Sequence, residues 1–165
     1  MSILNSTNTG KVALLIPETK EELMEMIKNE IKEKGNNCDL NHIKTHKITD
    51  MSYLFHYSTF NGDISQWDVS NVRYMNCMFY VSKFNGDISK WNVSNVKSMQ
   101  GMFAYSDFNK DISKWNVSSV RDMSWMFKFS KFNHNISNWK IISNCDTRFT
   151  FECCPIKYKY KPKYL

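Results

Sequence analysis

The chain has 165 residues, of which 42% are hydrophobic and 15% aromatic. This length suits a single domain, and an apolar content this high excludes an intrinsically disordered chain. The net charge of +6 is compatible with acidic proteins, nucleic acid or an anionic membrane surface, but the lysines are spread along the whole chain and favour none of these partners.

Cysteine usage and the N-terminal residues bear on the compartment. The five cysteines are odd in number and include no CxxC spacing, which favours reduced thiols and a cytosolic setting. No positively charged segment leads into a long apolar stretch, so we expect no secretory signal. The apolar runs are also shorter than the roughly 18 residues that a membrane span needs.

Residues 1–38 are predicted to form an N-terminal cap that consists of a strand and a helix. Residues 12–16 are apolar and favour a short strand. Thr19 and Glu22 have the spacing of a capping box, and apolar residues then recur on one face of a helix that ends before Gly35. We expect this helix to cover the open end of the repeats that follow.

Residues 39–142 contain a repeat of 24 residues. Three kinds of apolar residue recur at this spacing in four successive units. The columns are Phe60, Phe84, Phe108 and Phe132; Ile64, Ile88, Ile112 and Ile136; and Trp67, Trp91, Trp115 and Trp139. An earlier, degenerate unit keeps apolar residues in the same register from Leu40 to Phe55. Since one coil cannot bury its own apolar face, the sequence predicts a solenoid of about five stacked coils with these columns in its core.

Each coil is predicted to contain a short strand and a short helix. Residues 64–69 have the spacing of the strand in leucine-rich repeats, with alternate side chains pointing into the core. Residues 72–79 have apolar residues at i, i+3, i+6 and i+7, which is the spacing of one helical face. The predicted fold class is therefore an α/β repeat protein, a leucine-rich-repeat-like solenoid, and we expect a monomer.

Residues 143–165 lose the repeat pattern while keeping some apolar residues. The final segment, from Lys157 to Leu165, alternates lysines with tyrosines. We interpret this region as a C-terminal cap followed by a basic tail.

The repeat units resemble a known family. They read FNGDISQWDVSNVRYMNCMF at 60–79, FNGDISKWNVSNVKSMQGMF at 84–103 and FNKDISKWNVSSVRDMSWMF at 108–127. These units are similar to the BspA-like leucine-rich-repeat family, also called the Mycoplasma-type lipoprotein-associated domain of unknown function. The resemblance implies a right-handed solenoid without catalytic residues and, for many members, a cell-surface protein that binds host or neighbouring-cell proteins. Surface members carry an export signal, so surface and cytoplasmic locations both remain open for this chain.

The exposed side of the predicted strands is the candidate binding surface, since solenoids present such a face for docking. Its side chains vary between coils while the core does not, as in a recognition surface. The candidate residues are Gln66, Lys90, Lys114 and Asn138 in one column and Asp68, Asn92, Asn116 and Lys140 in the next. We therefore predict a non-catalytic scaffold that binds a protein partner. The alternative is a cell-surface adhesin with a missing or atypical export signal.

Further polar columns allow either a metal site or a structural role. One column could bind calcium, but a turn role in which each side chain accepts a backbone N–H is favoured. It contains Asp39, Asp63, Asp87, Asp111 and Asn135. A column of asparagines from Asn37 to Asn133 could form a ladder of side-chain amides. Cys38, His42 and His46 have a zinc-like spacing, but the repeat phase separates the histidines, so we predict no metal and no cofactor.

Nucleic-acid binding is a minor alternative. Arg73, Lys97 and Arg121 form a basic column, and together with the lysine–tyrosine tail they could contact phosphates and bases. The sequence contains no P-loop, dinucleotide-binding loop, nucleophile elbow or zinc-protease motif. We therefore expect neither an enzyme nor a small-molecule substrate.

Overall fold

The computed structural model describes residues 15–163. Within this range it contains one α-helix, α1 (Lys20–Lys34), and one 3-10 helix (Tyr158–Tyr160). Residues 12–14 of the predicted N-terminal strand lie outside the described residues, while Leu15 forms an isolated parallel bridge with Ile43. The remaining described residues form turns and isolated bridges rather than strands.

Helix α1 forms where the sequence predicts a helix. Thr19 is its N-cap, and the Thr19 hydroxyl accepts a hydrogen bond from the N–H of Glu22 at 3.2 Å. Gly35 follows the last residue with φ of 84°, which suits glycine, and donates its N–H to the carbonyl of Ile31 at 2.8 Å. Leu23 and Ile27 are buried, so one face of α1 packs against the core.

The 24-residue units stack in register. One residue per coil forms a parallel bridge to its equivalent in the next coil, and five coils take part. These residues are Asp50, Tyr74, Ser98, Asp122 and Asp146. The predicted stacking of 24-residue repeats is therefore confirmed.

The predicted strand within each coil is wrong for the described residues. Ile64, Trp67 and Val69 are buried, as the strand prediction requires, but the N–H of Trp67 bonds to the carbonyl of Ile64 at 3.1 Å. This bond closes a turn within the coil, so the segment cannot stay extended. The same turn recurs at Trp91, where the N–H bonds to the carbonyl of Ile88 at 3.1 Å.

The predicted short helix within each coil is also wrong. In residues 75–81 alternate N–H groups bond to carbonyls of the next coil instead of to the carbonyl four residues earlier, and the N–H of Arg73 bonds to the carbonyl of Thr49 in the preceding coil. The N–H of Met75, for example, bonds to the carbonyl of Ser98 at 3.0 Å, and that of Phe79 to Met102 at 2.9 Å. We call residues 73–81 and their equivalents the turn ladder. The apolar spacing fits a helix, but neighbouring coils satisfy the backbone groups that a helix would satisfy internally.

The core consists of stacked rings and buried indoles. Phe79 and Phe103 lie parallel with centroids 5.5 Å apart, and Phe103 also stacks on Phe108 at 4.1 Å. All twelve predicted core residues of the Phe, Ile and Trp columns are buried. The buried indole of Trp91 donates its Nε1–H to the carbonyl of Ile64 in the preceding coil at 3.2 Å, and the three equivalent indoles do the same. Each tryptophan therefore contributes apolar area and one bond that fixes the register between coils.

The stacking continues beyond residue 142. The N–H of Phe127 bonds to the carbonyl of Thr150 at 2.9 Å, and the ring of Phe151 stacks on that of Phe127 at 5.7 Å. Further along, the N–H of Ile136 bonds to the carbonyl of Tyr160 at 2.9 Å. Residues 145–153 therefore extend the turn ladder by one coil, and the segment around Tyr160 packs against the coil before it.

Candidate functional site

All eight predicted partner-binding residues are exposed, and we call this set of residues the polar face. It consists of Gln66, Lys90, Lys114 and Asn138 together with Asp68, Asn92, Asn116 and Lys140. Shallow polar grooves run between coils on this face, and one of about 400 Å³ includes Gln66 and Lys90. Stacking of the repeats places the members of each predicted column on successive coils, and their role in binding stays a prediction.

Three polar side chains of the polar face are held by their own turns. Asp68 accepts hydrogen bonds from the N–H of Ser70 at 3.0 Å and from its hydroxyl at 2.6 Å. Asn92 and Asn116 make the same pair of bonds to Ser94 and Ser118. These side chains close turns, which gives them a structural role independent of any partner.

The aspartate column beside the polar face also closes turns. Asp87 Oδ1 accepts the N–H of Ser89 at 2.9 Å, and Asp63 and Asp111 make the equivalent bonds. These backbone hydrogen bonds lower the pKa of all three carboxyl groups. The predicted turn role is confirmed.

The asparagine column differs from the predicted amide ladder. Asn85 Oδ1 accepts the backbone N–H of Asn109 in the next coil at 2.9 Å, and the equivalent bond joins Asn61 to Asn85 at 2.7 Å. The partner is thus a main-chain donor rather than another amide, because the coil spacing brings each backbone N–H within reach of the preceding side chain. The series ends where Asn133 accepts the N–H of Lys157 at 3.3 Å.

Cys38, His42 and His46 point to different surroundings. Cys38 is buried, His42 lies 3.2 Å from Glu30 of α1, and His46 is exposed. Across residues 15–163, no group of three or more His, Cys, Asp or Glu side chains has an arrangement that could hold a metal ion.

The thiol of Cys145 is partly buried, which raises its pKa to about 11 and keeps it protonated at neutral pH.

A second exposed surface lies on the turn ladder, and sequence reasoning missed it. Two columns of residues with φ between 50° and 67° recur every 24 residues. The first contains Tyr53, Cys77, Gly101, Trp125 and Phe149, and the second contains Tyr57, Val81, Tyr105, Phe129 and Cys153. Seven of these side chains are large, apolar and 37–67% exposed. We call Tyr53, Tyr57, Val81, Tyr105, Trp125, Phe129 and Phe149 the aromatic face.

The left-handed backbone of the aromatic face follows from its turns. Trp125 is the third residue of a turn closed by the N–H of Met126 and the carbonyl of Met123 at 3.2 Å, and Gly101 has the same place in its own coil. Positive φ at the third position of such a turn strongly favours Gly or Asn. A larger side chain there costs about 1–2 kcal/mol, and most for a β-branched residue such as Val81. Only one of the ten positions is glycine.

Rings of the aromatic face contact each other between coils. Tyr105 stacks on Phe129 with centroids 5.0 Å apart, while Tyr80 lies edge-on to Tyr57 and Tyr105 at 5.5 and 5.6 Å. Such pairs contribute about 0.5–1.5 kcal/mol each when buried, and less with half of each ring in water. The contacts therefore offset part of the backbone strain.

A lysine lies among the rings at the C-terminal end of the aromatic face. The ammonium of Lys128 lies 5.4 to 5.7 Å from the ring centroids of Trp125, Phe129 and Phe149. The Lys128 ammonium also lies 2.7 Å from Glu152 Oε2, at angles outside ideal hydrogen-bond geometry. This carboxylate raises the pKa of Lys128. The charge of Lys128 is thus engaged within the protein.

The basic column shares the turn ladder with the aromatic face. The N–H of Lys97 bonds to the carbonyl of Arg73 at 2.8 Å, and that of Arg121 to Lys97 at 2.8 Å. The three side chains therefore lie on successive rungs, which are about 4.8 Å apart in a parallel ladder. Among the described residues none of the three forms an ion pair.

An open groove of about 680 Å³ separates α1 from the first coil. Met24, Ile31 and Leu54 contribute apolar surface to it, and Tyr53 and Tyr57 of the aromatic face form one wall. The groove therefore continues the aromatic face toward the N-terminal cap.

One signal in the sequence could have revealed the aromatic face. Exposed positions of a helix would vary without preference for large rings, yet Tyr53, Tyr57, Tyr105, Trp125 and Phe149 fall in two columns at the repeat spacing. A glycine in the same column indicates a backbone conformation that other residues avoid.

The stacked coils, ring columns and repeating inter-coil bonds define a repeat protein. The chain belongs to the family described as Mycoplasma protein of unknown function, DUF285, which matches residues 21–139. No curated protein and no solved structure matches the chain. No helix within residues 15–163 has the length and apolar character to cross a membrane.

Proposed function

We propose that this protein is a non-catalytic scaffold that binds a protein partner through the side of its coil stack. The aromatic face carries the proposal. Its rings occupy backbone positions that favour glycine, and about half of each ring is in water. Both features oppose folding, so stability alone does not account for the choice of Trp125, Phe129 or Phe149. Aromatic side chains are enriched where proteins dock, because they contribute large contact areas with few rotatable bonds.

The polar face is the second candidate surface. Lys90, Lys114 and Lys140 are exposed there, and their charges could select an acidic partner. We place the polar face second because four of its other five side chains already bond to the backbone. The two surfaces are separate along the coil, so one experiment can compare them.

The resemblance of the repeat units to a more narrowly defined family supports the same function. The repeat units resemble the BspA-like leucine-rich-repeat family, and on that basis we propose a right-handed solenoid. The resemblance also keeps the adhesin alternative, in which the partner lies on another cell. Treatment of intact native cells with protease, followed by antibody detection, separates these proposals. A surface adhesin is accessible to the added protease and an internal scaffold is not.

Affinity capture from an extract of the native host tests which face binds. The purified wild-type chain is compared with Trp125→Asn/Phe129→Asn/Phe149→Asn and with Lys90→Glu/Lys114→Glu/Lys140→Glu. Asparagine suits the left-handed backbone, so the first variant removes rings without adding strain. We expect the first variant to lose a partner that the second retains.

Each captured protein is then purified and titrated against all three chains. Loss of binding in the lysine variant alone would move the function to the polar face. Binding that neither variant weakens would show that neither face binds the partner.

A further inference from the structure

We propose that the partner of the aromatic face is an acidic polypeptide segment, held by Arg73, Lys97 and Arg121 beside the rings. This inference rests on the proposed function and adds the chemistry of the partner. Its basis is charge complementarity between an acidic segment and a row of cations that form no ion pair with any described residue.

The basic column is an unusual arrangement in energetic terms. Arg73 and Arg121 are exposed, Lys97 is partly buried, and all three lie on consecutive rungs of one ladder. Like charges on neighbouring rungs repel each other and destabilise the fold. Carboxylates of a partner that lay along the stack would remove this repulsion on binding.

Acidic groups near the basic column are already engaged elsewhere. Asp50 pairs with Lys20 at 3.2 Å, and Asp146 pairs with Arg148 at 2.6 Å. Asp122 accepts hydrogen bonds from the N–H and the hydroxyl of Ser124 at 2.9 and 2.7 Å. Among the described residues, none of these carboxylates forms an ion pair with the basic column.

The far side of the aromatic face is basic as well. Lys83 and Lys131 both pair with Asp107, at 3.1 and 2.7 Å. Two lysines that share one carboxylate leave an excess of positive charge. The rings are therefore bordered by positive charge on two sides, which favours a partner with apolar side chains over the rings and acidic ones at the borders.

The ring geometry favours a polypeptide over a single-stranded nucleic acid. Nucleic-acid binders stack successive bases on exposed aromatic faces. Here Tyr80, Tyr105 and Phe129 contact one another at centroid distances of 5.0 and 5.6 Å, so no base fits between them. Apolar side chains of a peptide need only the outer surface of the rings, which is exposed.

Fluorescence anisotropy with a labelled peptide of repeating Glu, Phe and Ser tests the proposal on the full chain. We expect binding that weakens as salt is raised. Arg73→Gln/Lys97→Gln/Arg121→Gln should weaken it by about tenfold or more, as for loss of charges at an interface. The control Lys34→Gln/Lys47→Gln/Lys110→Gln removes the same charge from exposed positions outside both faces and should change the affinity by less than about twofold. Circular dichroism of both variants verifies that they fold.

Three companion probes make the outcomes distinct: the same peptide with Gln for Glu, the same peptide with Ser for Phe, and labelled oligothymidylate. An equal effect of the two triple variants, or equal binding of the Gln peptide, would overturn the acidic partner. Tighter binding of oligothymidylate that depends on Arg73 and Arg121 would overturn it in favour of nucleic acid. If the Gln peptide binds equally but is lost in Trp125→Asn/Phe129→Asn/Phe149→Asn, the proposed function stands and only its acidic partner fails. If no peptide depends on those rings, the proposed function fails as well.

Discussion

The polar face and the aromatic face both present one set of side chains per coil to solvent, but they relate differently to the fold. On the polar face, Asp68 and its equivalents bond to backbone groups of their own turns. On the aromatic face, rings such as Trp125 occupy left-handed positions and leave about half their surface in water. Folding explains the composition of the first face and opposes that of the second. A surface that stability does not explain is the better candidate for function.

The largest expected difference between the faces concerns glycine. A methyl group at Gly62, at the edge of the polar face, would overlap the carbonyl oxygen of Cys38 and lie 2.8 Å from the ring of Phe60. We expect Gly62→Ala to lower the free energy of unfolding by about 3 kcal/mol, as for overpacking against the main chain. Urea unfolding measures it.

Gly101 on the turn ladder provides the matched control. Its φ is +58°, and an added methyl group would meet only Cys77 Sγ at 3.2 Å. Gly101→Ala should cost about 1 kcal/mol from backbone strain. An equal loss in the two variants would mean that the two sides of the coil do not differ in packing.

The asparagine column gives the next largest effect. Asn85→Ala leaves the N–H of Asn109 without its acceptor, and we expect a loss of about 1 kcal/mol in the free energy of unfolding. Asn85→Asp keeps an acceptor oxygen and should restore most of it. Gln100→Ala, at an exposed position of the turn ladder, should stay within about 0.5 kcal/mol of wild type. A loss in Gln100→Ala as large as that in Asn85→Ala would show that the asparagine column contributes no more to stability than an exposed position of the turn ladder.

Removal of strain on the aromatic face should increase stability. Val81 has φ of 50°, a conformation that a β-branched residue adopts only with strain. We expect Val81→Asn to raise the free energy of unfolding by about 0.5–1 kcal/mol, measured by urea unfolding. Lys90→Asn on the polar face is the control and should leave stability unchanged. A destabilised Val81→Asn would show that this side chain contributes to the fold.

The smallest effect is the pH dependence contributed by the aspartates beside the polar face. Hydrogen bonds lower the pKa of Asp63, Asp87 and Asp111 in the folded state. Their contribution is therefore complete above the unfolded pKa of about 3.9 and is lost as the pH falls through the folded values. We expect a few tenths of a kcal/mol, because these exposed groups are screened by solvent. Urea unfolding from pH ~5 downward measures it, and Asp63→Asn/Asp87→Asn/Asp111→Asn should lose less stability than wild type.

The repeat period and the core could be predicted from sequence because they depend only on which side chains must be buried. The Trp67 and Phe60 columns are apolar in four units, and burial of such columns requires stacking. The conformation within the coil could not be predicted in this way. The spacing of Val72, Met75 and Phe79 fits a helix, and one coil does not reveal that the backbone bonds to the next coil instead.

The candidate site was predicted in part for the same reason. Gln66, Lys90 and Lys114 are exposed, as expected, because polar residues between buried ones point outward. The aromatic face was missed because Trp125 and Phe129 break the rule that large apolar residues are buried. Positions that depart from such rules are where function is expected to outweigh stability.

The free energy of unfolding of Tyr57→Asn/Tyr105→Asn/Phe129→Asn tests most directly whether these rings serve a partner and not the fold. We expect stability equal to or above that of wild type, because three strained positions receive a residue that suits them. A loss of about 2 kcal/mol or more would instead show that these rings hold the coils together and serve the fold.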